Sequence, residues 1–157
     1  MPNVEIIEVG SAEQLERALA IRRAVFVEEQ GVGEALEIDG RDHEAQHLLA
    51  LRDGDPVGTL RVRRVDHGRV AKIERVAVLA RARGAKVGQA LVEAALAMSG
   101  AAGAEAAILH AQTRAQSFYA RLGFMAFGPE FIEDGIPHIA MRRPLHADAA
   151  QHRRRIE

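Results

Sequence analysis

Residues 71–111 constrain the fold more than any other part of this chain, because the hydrophobic pattern changes its period within them. Residues 71–79 are rich in valine and isoleucine and predict a strand, and residues 106–111 predict a second one. Between them, apolar residues at helical spacing predict an amphipathic helix over 86–99. Such a crossover usually connects parallel neighbours and is right-handed. We therefore expect an α/β domain with a mixed sheet.

The remaining pattern predicts strands and helices on both sides of this unit. A short strand over 4–9 leads to Ser11 and Gln14, which form a capping box before a helix that runs to about residue 27. Residues 28–45 are acidic and rich in glycine, and predict a long loop with room for one helical turn. The other predicted elements are strands over 46–51, 57–65, 124–127 and 137–142 and a short helix over 115–121. The strands at 124–127 and 137–142 are predicted to pair around Asp134 and Gly135.

Composition places the chain among globular proteins. Its 157 residues suit one domain, and 48% of them are hydrophobic and 27% charged. The absence of cysteine excludes disulfides, thiolate metal sites and a cysteine acyl-enzyme. Because 21 basic residues face 22 acidic ones, we expect no general affinity for nucleic acid or membrane. No signal peptide or membrane-length apolar run is visible, so we expect a cytoplasmic protein with one domain over 1–145 and a polar tail over 146–157.

The connection before the helix at 86–99 has the properties of an anion site. The first N–H groups of a helix point outward without intrahelical partners, and the helix dipole adds partial positive charge. Gly84 and Gly88 allow the backbone close to a ligand. Fixed positive charge comes from Arg81, Arg83 and Lys86. An ordinary strand-to-helix connection with solvated arginines explains the same residues, and neither a Walker P-loop nor a Gly-x-Gly-x-x-Gly pattern is present.

Residues 83–88 resemble the coenzyme A loop of the GCN5-related N-acetyltransferases, the GNAT family, whose pattern is Arg/Gln-x-x-Gly-x-Gly/Ala. Gly88 fits the last position of this pattern. Lys86 stands where the family usually has its first glycine, and a lysine suits that position only if the backbone there does not need a positive φ.

Other segments resemble the same family in the same order. Ala115-x-x-Phe118-Tyr119-x-x-x-Gly123-Phe124 is similar to its second signature. Residues 22–30 and 134–141 resemble a small bacterial subgroup, so the resemblance covers about residues 4–144.

The resemblance implies the GNAT fold, a mixed and mostly antiparallel sheet with a splayed centre flanked by helices. It implies transfer of an acetyl group from acetyl-CoA to an amine of a small molecule or protein, by direct attack in a ternary complex, and it leaves a homodimer open. In this family the strand backbone pairs with the pantetheine arm and the loop amides hold the pyrophosphate. The residues that it assigns to the cofactor are Val76, Ala77, Val78, Arg83, Gly84, Ala85, Lys86, Val87, Gly88, Gln89, Gln112 and Phe118.

Acetyl transfer requires a neutral amine, a donor for the oxyanion and a proton for the departing thiolate. Tyr119, the single tyrosine, stands where family members often carry that acid, and the alternative is a core aromatic with a satisfied hydroxyl. Glu74 stands where many relatives carry a base, and the alternative is a surface glutamate paired with Arg75 or Lys72.

Four further residues are candidates for the acceptor site. Glu28 and Glu29 end the first predicted helix near the expected cleft, although a solvated face explains both. His110 lies near the splayed centre, where a histidine is more often structural than catalytic, and His138 matches the subgroup pattern. The acidic residues of 34–44, together with Glu130, Glu133 and Asp134, suggest a cationic amine.

His43-Glu44-Ala45-Gln46-His47 fits the zinc metallopeptidase pattern His-Glu-x-x-His. That chemistry requires both histidines on one helix face, but glycines precede the motif and a predicted hairpin follows it. We therefore predict no metal site, and a zinc hydrolase is the weakest alternative. A non-catalytic acyl-CoA-binding module is the other alternative to an enzyme.

Overall fold

The computed structural model describes residues 3–145, to which every structural statement below refers. The tail predicted over 146–157 lies outside these residues. No helix within 3–145 is long and apolar enough to cross a membrane. The elements are β1 (Val4–Glu8), α1 (Ala12–Arg22), α2 (Glu34–Glu37), β2 (Gln46–Arg52), β3 (Asp55–Val65), β4 (Val70–Val78), α3 (Val87–Ala101), β5 (Ala106–Gln112), α4 (Gln116–Arg121), β6 (Met125–Ala126), β7 (Phe131–Glu133) and β8 (Ile136–Pro144).

The strands form a mixed and mostly antiparallel sheet, as predicted. Their order is β1-β2-β3-β4-β5-β8-β6, and β7 pairs with β8. β4 and β5 run parallel on either side of α3 in the chain, which confirms the predicted crossover. Their ladder joins Val70–Lys72 to Ala106–Ile108, the first three residues of each strand, as a sheet with a splayed centre requires.

Contacts divide the described chain into two compact units. The first comprises residues 3–63 and 74–94, and the second comprises 64–73 and 95–145.

The core of the first unit lies under α1. Its apolar face places Ala18, Ile21 and Val25 against Leu49 of β2 and Ala77 of β4. Ser11 caps its start, because the Ser11 hydroxyl accepts a hydrogen bond from the Gln14 amide at 3.1 Å. The Gln14 side chain accepts a hydrogen bond from the Gly10 amide at 2.7 Å, one residue before the partner that a capping box requires.

In the second unit, the alternation of side chains along β5 determines which of them are buried. Ala107, Leu109 and Ala111 of β5 are buried, whereas His110 and Gln112 alternate with them and are half-buried. Because successive side chains of a strand point to opposite faces, these two lie on the same face.

Two local predictions need correction. The first helix does not end near residue 27: α1 ends at Arg22 and continues as a π-helical segment, Arg23–Glu29. The predicted hairpin around Asp134 and Gly135 is formed by β7 and β8, a pairing that the pattern had given to residues 124–127. Those residues contribute β6, which pairs with β8 farther along.

Candidate active site

The turn between β4 and α3 contains the predicted coenzyme A loop. After β4, a 3-10 turn over Ala80–Ala82 and a tight turn over 83–86 lead into Val87, the first residue of α3. Gly84 and Lys86 both adopt the left-handed backbone region, with φ of 86° and 62°. Position 86 therefore needs a positive φ, and a lysine in this conformation costs roughly 1–2 kcal/mol. The loop therefore has the backbone shape for which a glycine is suited.

The start of α3 packs tightly on β3 at Gly58. A Cβ atom on Gly58 would lie 3.0 Å from side-chain atoms of Val87 and Leu91 and 3.3 Å from the carbonyl oxygen of Ala77. Only a residue without a side chain allows this approach. Gly58 thus fixes where the first turn of α3 lies over the strands.

Arg83, a predicted cofactor residue, pairs with Glu29, a predicted acceptor residue. Its guanidinium donates to both carboxylate oxygens of Glu29, at 2.6 and 2.7 Å, and to the carbonyl oxygen of Val78 at 3.0 Å. Hydrogen bonding to Glu29 raises the pKa of Arg83. The pair ties the π-helical segment to the loop, so the Arg83 side chain also has a bracing role. Glu28, by contrast, is exposed and lies 3.8 Å from Arg23.

Glu74, the predicted base, is held by two arginines that the sequence analysis did not consider. Arg63 donates to its carboxylate at 2.6 Å, and Arg61 donates at 3.2 Å. The side chain of Arg61 is completely buried and that of Glu74 is 13% exposed. Two adjacent guanidinium groups stabilise a carboxylate in its charged form. The base role of Glu74 stays a prediction. A base at this position would have to accept a proton while Arg61 and Arg63 donate to its carboxylate.

These contacts belong to a larger arginine–carboxylate network within the first unit. Arg61 donates to Asp39 at 2.5 Å and to Asp42 at 2.9 Å, and Arg22 donates to Glu37 at 2.5 Å. Opposite charges are equal in number. The members are Arg22, Arg61, Arg63 and Arg75 with Glu37, Asp39, Asp42 and Glu74.

The network neutralises the acidic segment that suggested a cationic acceptor. Hydrogen bonding to Arg61 holds the pKa of Asp39 well below its usual range. Burial alone would raise the pKa of Asp42, but Arg22 and Arg61 outweigh it and lower that pKa. Burial would likewise lower the pKa of Arg61, but its carboxylate partners outweigh burial and raise it. The segment 34–44 is thereby fixed on β3 and β4 by ion pairs.

In the second unit, Tyr119 lies in an aromatic cluster at the end of α4. Its ring packs edge-on against Phe118 and Phe124, with centroids 5.0 and 5.9 Å away. Tyr119 is buried, and burial raises the pKa of its hydroxyl. The hydroxyl therefore keeps its proton at neutral pH, which a proton donor requires.

His110 and His138 come together around Glu133, one of the acidic residues that suggested a cationic amine. Nδ1 of His110 lies 3.1 Å from Oε1 of Glu133, and Nε2 of His138 lies 3.8 Å from Oε2. Nδ1 of His138 lies 2.7 Å from the carbonyl oxygen of Ile136. Gln112, on the same face as His110, accepts a hydrogen bond from Arg114 at 3.0 Å.

The two histidines of the zinc-like pattern do not share a helix. His43 lies in a 3-10 turn, Asp42–Glu44, and His47 lies in β2. His47 is buried, with Nε2 2.9 Å from the carbonyl oxygen of Asp42. The helical face that the zinc motif needs is therefore not formed here.

The remaining predicted cofactor residues lie along the same stretch as the loop. In β4, Ala77 is buried and its two neighbours are half-buried. Gly88 and Gln89 are half-buried in the first turn of α3. The predicted cofactor residues within 76–89 all lie in the first unit: Val76, Ala77, Val78, Arg83, Gly84, Ala85, Lys86, Val87, Gly88 and Gln89.

Comparison with known families identifies the family to which the chain belongs. The model of the acetyltransferase (GNAT) domain matches residues 8–145. The chain belongs to the GNAT family. The resemblance inferred from the loop and from the Tyr119 signature is confirmed, and so is the fold class. As a GNAT protein, the chain is an acyl-CoA-dependent N-acetyltransferase.

Relatives of this GNAT chain match nearly its whole length. YyaT of Bacillus subtilis is 39% identical over 145 residues, which are 90% of this chain and 97% of YyaT. The N-acetyltransferase YjcF of the same organism is 38% identical over 83% of this chain and 93% of its own. The crystal structure of an acyl-CoA N-acyltransferase from Pseudomonas aeruginosa is 34% identical, covers 91% of this chain and 99% of its own, and has a TM-score of 0.78.

The sequence of this GNAT chain did not reveal the residues whose side chains hold other candidate site residues in place. The roles of Arg22 and Arg61 could not be predicted, because their partners lie 13–22 positions away without a fixed spacing. The signal for Glu133 was present: it directly precedes the Asp134-Gly135 turn, opposite the strand of His138.

Proposed function

We propose that the donor is acetyl-CoA and that an amine of a small molecule or protein attacks its thioester directly. The absence of cysteine supports direct attack, since no thiol is available to carry the acyl group. The observation that carries the proposal is the turn between β4 and α3, with its left-handed Gly84 and Lys86. This turn opens a fifteen-residue helix, Val87–Ala101, whose dipole favours an anion at its start.

The first turn of α3 suits a pyrophosphate group. The Ala90 amide donates to the carbonyl oxygen of Lys86 at 3.0 Å, so the amides of Val87, Gly88 and Gln89 precede the helical ladder. Gly88 adds no side chain between those amides and a ligand, and Lys86 is exposed with a mobile ammonium group. We assign the pyrophosphate to these residues and the pantetheine arm to the backbone of β4.

We assign to Tyr119 the proton that the departing thiolate receives. Its position in the second family signature and its protonated, buried hydroxyl support this role. The buried hydroxyl is protonated and can donate its proton to the sulfur as the C–S bond breaks. Phe118 and Phe124 hold the ring, so little rotation is available to it.

The variant Tyr119→Phe tests this assignment. It removes one hydroxyl and keeps the ring, so the melting temperature and the affinity for acetyl-CoA should hardly change. We expect kcat to fall by about 10²-fold or more, because positioned acids typically contribute 10²–10⁴-fold. Steady-state kinetics and calorimetry on both proteins give the answer. A variant with the wild-type kcat would return Tyr119 to a structural role.

Thiol release from acetyl-CoA across a panel of amines tests the activity itself. Since the chain has no cysteine, a thiol reagent reads only the coenzyme A that is released. We expect release that depends on one class of amine and exceeds the blank without amine. Binding of acetyl-CoA without release on any amine would favour the alternative, an acyl-CoA-binding module.

Other assignments stay predictions that rest on the family resemblance. They include the base role of Glu74, contacts of Gln112 and Phe118 with the cofactor, and contacts of Glu28, Glu29, His110 and His138 with the acceptor. A cytoplasmic location and a homodimer are also predictions. Size-exclusion chromatography with light scattering checks the homodimer.

A further inference from the structure

We propose that His110 accepts the proton of the attacking amine and that Glu133 positions its ring for this task. The inference rests on the proposed function, because it assigns the base for that reaction. It differs from the sequence-based prediction, which placed the base at Glu74 and counted Glu133 only among the acidic residues that suggest a cationic amine. The evidence lies entirely within the second unit.

The contact between His110 and Glu133 fixes the tautomer of the imidazole. Nδ1 of His110 lies 3.1 Å from Oε1 of Glu133. An ionised carboxylate only accepts hydrogen bonds, so Nδ1 is the protonated nitrogen of the pair. Nε2 then carries the lone pair of the neutral ring, as in the histidine–carboxylate pairs that perform base catalysis elsewhere.

Both members of the pair are reachable from solvent. The side chain of His110 is 31% exposed and that of Glu133 is 40% exposed. His110 also has an aromatic wall, because the ring of Phe131 packs edge-on against it at 5.1 Å. An amine can thus approach an imidazole whose orientation is fixed on two sides.

The second histidine is placed differently. His138 is buried, and its Nδ1 donates to the carbonyl oxygen of Ile136 at 2.7 Å. Phe131 stacks on it at 6.0 Å, and its Nε2 lies 3.8 Å from Oε2 of Glu133. His138 therefore makes no hydrogen bond to Glu133, whereas Nδ1 of His110 lies within hydrogen-bond distance of it.

Other charges on this face of the sheet lie one row away. Register places Lys72 of β4 and Arg142 of β8 level with Ile108, two residues before His110. Glu133 is the charged group in direct contact with His110. The pair therefore depends on the charge of Glu133, which is testable.

The proton balance of the step needs no further reagent. The amine nitrogen forms a bond to the acyl carbon, the C–S bond breaks, and the N–H proton goes to Nε2 of His110. Tyr119 supplies a proton to sulfur, and solvent returns the proton of His110 to Tyr119. One proton moves in total from nitrogen to sulfur.

Kinetics of three variants test the proposal on an amine that the wild type acetylates. We expect His110→Gln to lower kcat by about 10²-fold or more and to leave KM for acetyl-CoA nearly unchanged. Glu133→Gln keeps an acceptor but loses the charge, so kcat should fall by about 10–100-fold. The acid side of its kcat/KM profile should move to lower pH. The matched control Glu105→Gln, an exposed glutamate directly before β5, should keep the wild-type kcat and profile.

Nitrogen NMR of the histidine rings gives a readout that needs no turnover. We expect the Nδ1–H tautomer for His110 in the wild type and its loss in Glu133→Ala. The other tautomer in the wild type overturns the proposal, and so does a His110→Gln variant with the wild-type kcat and pH profile. A wild type that releases thiol with no amine overturns the proposed function itself, which the thiol assay reports separately.

Discussion

Glu74 in the first unit and Glu133 in the second are glutamates of the same sheet with different partners. Glu74 lies between Arg61 and Arg63, with its side chain 13% exposed. Glu133 is 40% exposed and contacts the imidazole of His110. A guanidinium group stays charged at every accessible pH, whereas an imidazole gains and loses its proton near neutrality. The charges of Glu74 and its two arginines therefore stay fixed, whereas the pair of Glu133 and His110 is able to transfer a proton.

The comparison also separates structural from chemical uses of charge. The network around Arg61 fixes the segment 34–44 through partners that are equal in charge. Buried ion pairs of this kind gain little net stability over apolar packing, but breaking one leaves a buried charge without a partner. We therefore expect the largest effects on stability in the first unit and the largest effects on kcat in the second.

Arg61→Met disrupts the arginine–carboxylate network of the first unit most severely. It leaves Asp39, Asp42 and Glu74 without their shared partner, and we expect the free energy of unfolding to fall by about 3–5 kcal/mol. Urea unfolding measures this loss. The matched control Arg41→Met removes an exposed arginine that lies 3.9 Å from Glu44, and should change stability by less than about 0.5 kcal/mol. Equal stability of the two variants would contradict the role given to the network.

The same network makes stability depend on acid. The pKa values of Asp39 and Asp42 are lower in the folded chain than the usual value of about 3.9, so the unfolded chain binds more protons. Their contribution is fully present above that value and is lost as the pH falls through it toward the folded values. Asp39→Asn should therefore be less stable than the wild type at pH 7, by less than Arg61→Met.

Urea midpoints measured from pH 7 to about pH 3 follow the difference between these two proteins, which should shrink over this range. A difference between Asp39→Asn and the wild type that stays constant down to the lowest pH would contradict the depressed pKa of Asp39.

Glu74→Gln sharpens the comparison with the smallest expected effect on stability. The amide still accepts hydrogen bonds from Arg61 and Arg63, so we expect a loss of about 1 kcal/mol. We expect kcat to fall less than in His110→Gln, because His110 accepts the proton. A fall in kcat as large as that of His110→Gln, with the fold intact, would give the base role to Glu74.

The fold was predictable because its signals are local. Ser11 caps α1 as its place before the helix predicts, and Asp53 and Gly54 adopt the positive φ of the hairpin turn that their types favour. Two features were out of reach. The π-helical continuation of α1 has no distinctive period in this sequence, and β7 is only three residues long, Phe131–Glu133.

The part of the candidate site that the backbone forms was predictable from the sequence. The contacts between side chains from distant positions were less predictable. The loop was found from Arg83 and Gly88, although the positive φ of Lys86 was visible only in the structure. The partners of Glu74 and His110 were not found, because pairs such as His110 and Glu133 lie 23 positions apart and only the sheet register joins them.

Calorimetry with coenzyme A on the wild type and Gly88→Asp tests the central claim, that the first turn of α3 holds the pyrophosphate. The aspartate adds bulk and negative charge where the ligand lies, but a carboxylate near a helix N-terminus favours the helix itself. We predict tight binding by the wild type, binding largely lost in Gly88→Asp with its melting temperature kept, and unchanged binding in the control Gly10→Asp, which lies before α1. A Gly88→Asp protein that binds coenzyme A as tightly as the wild type would contradict the account.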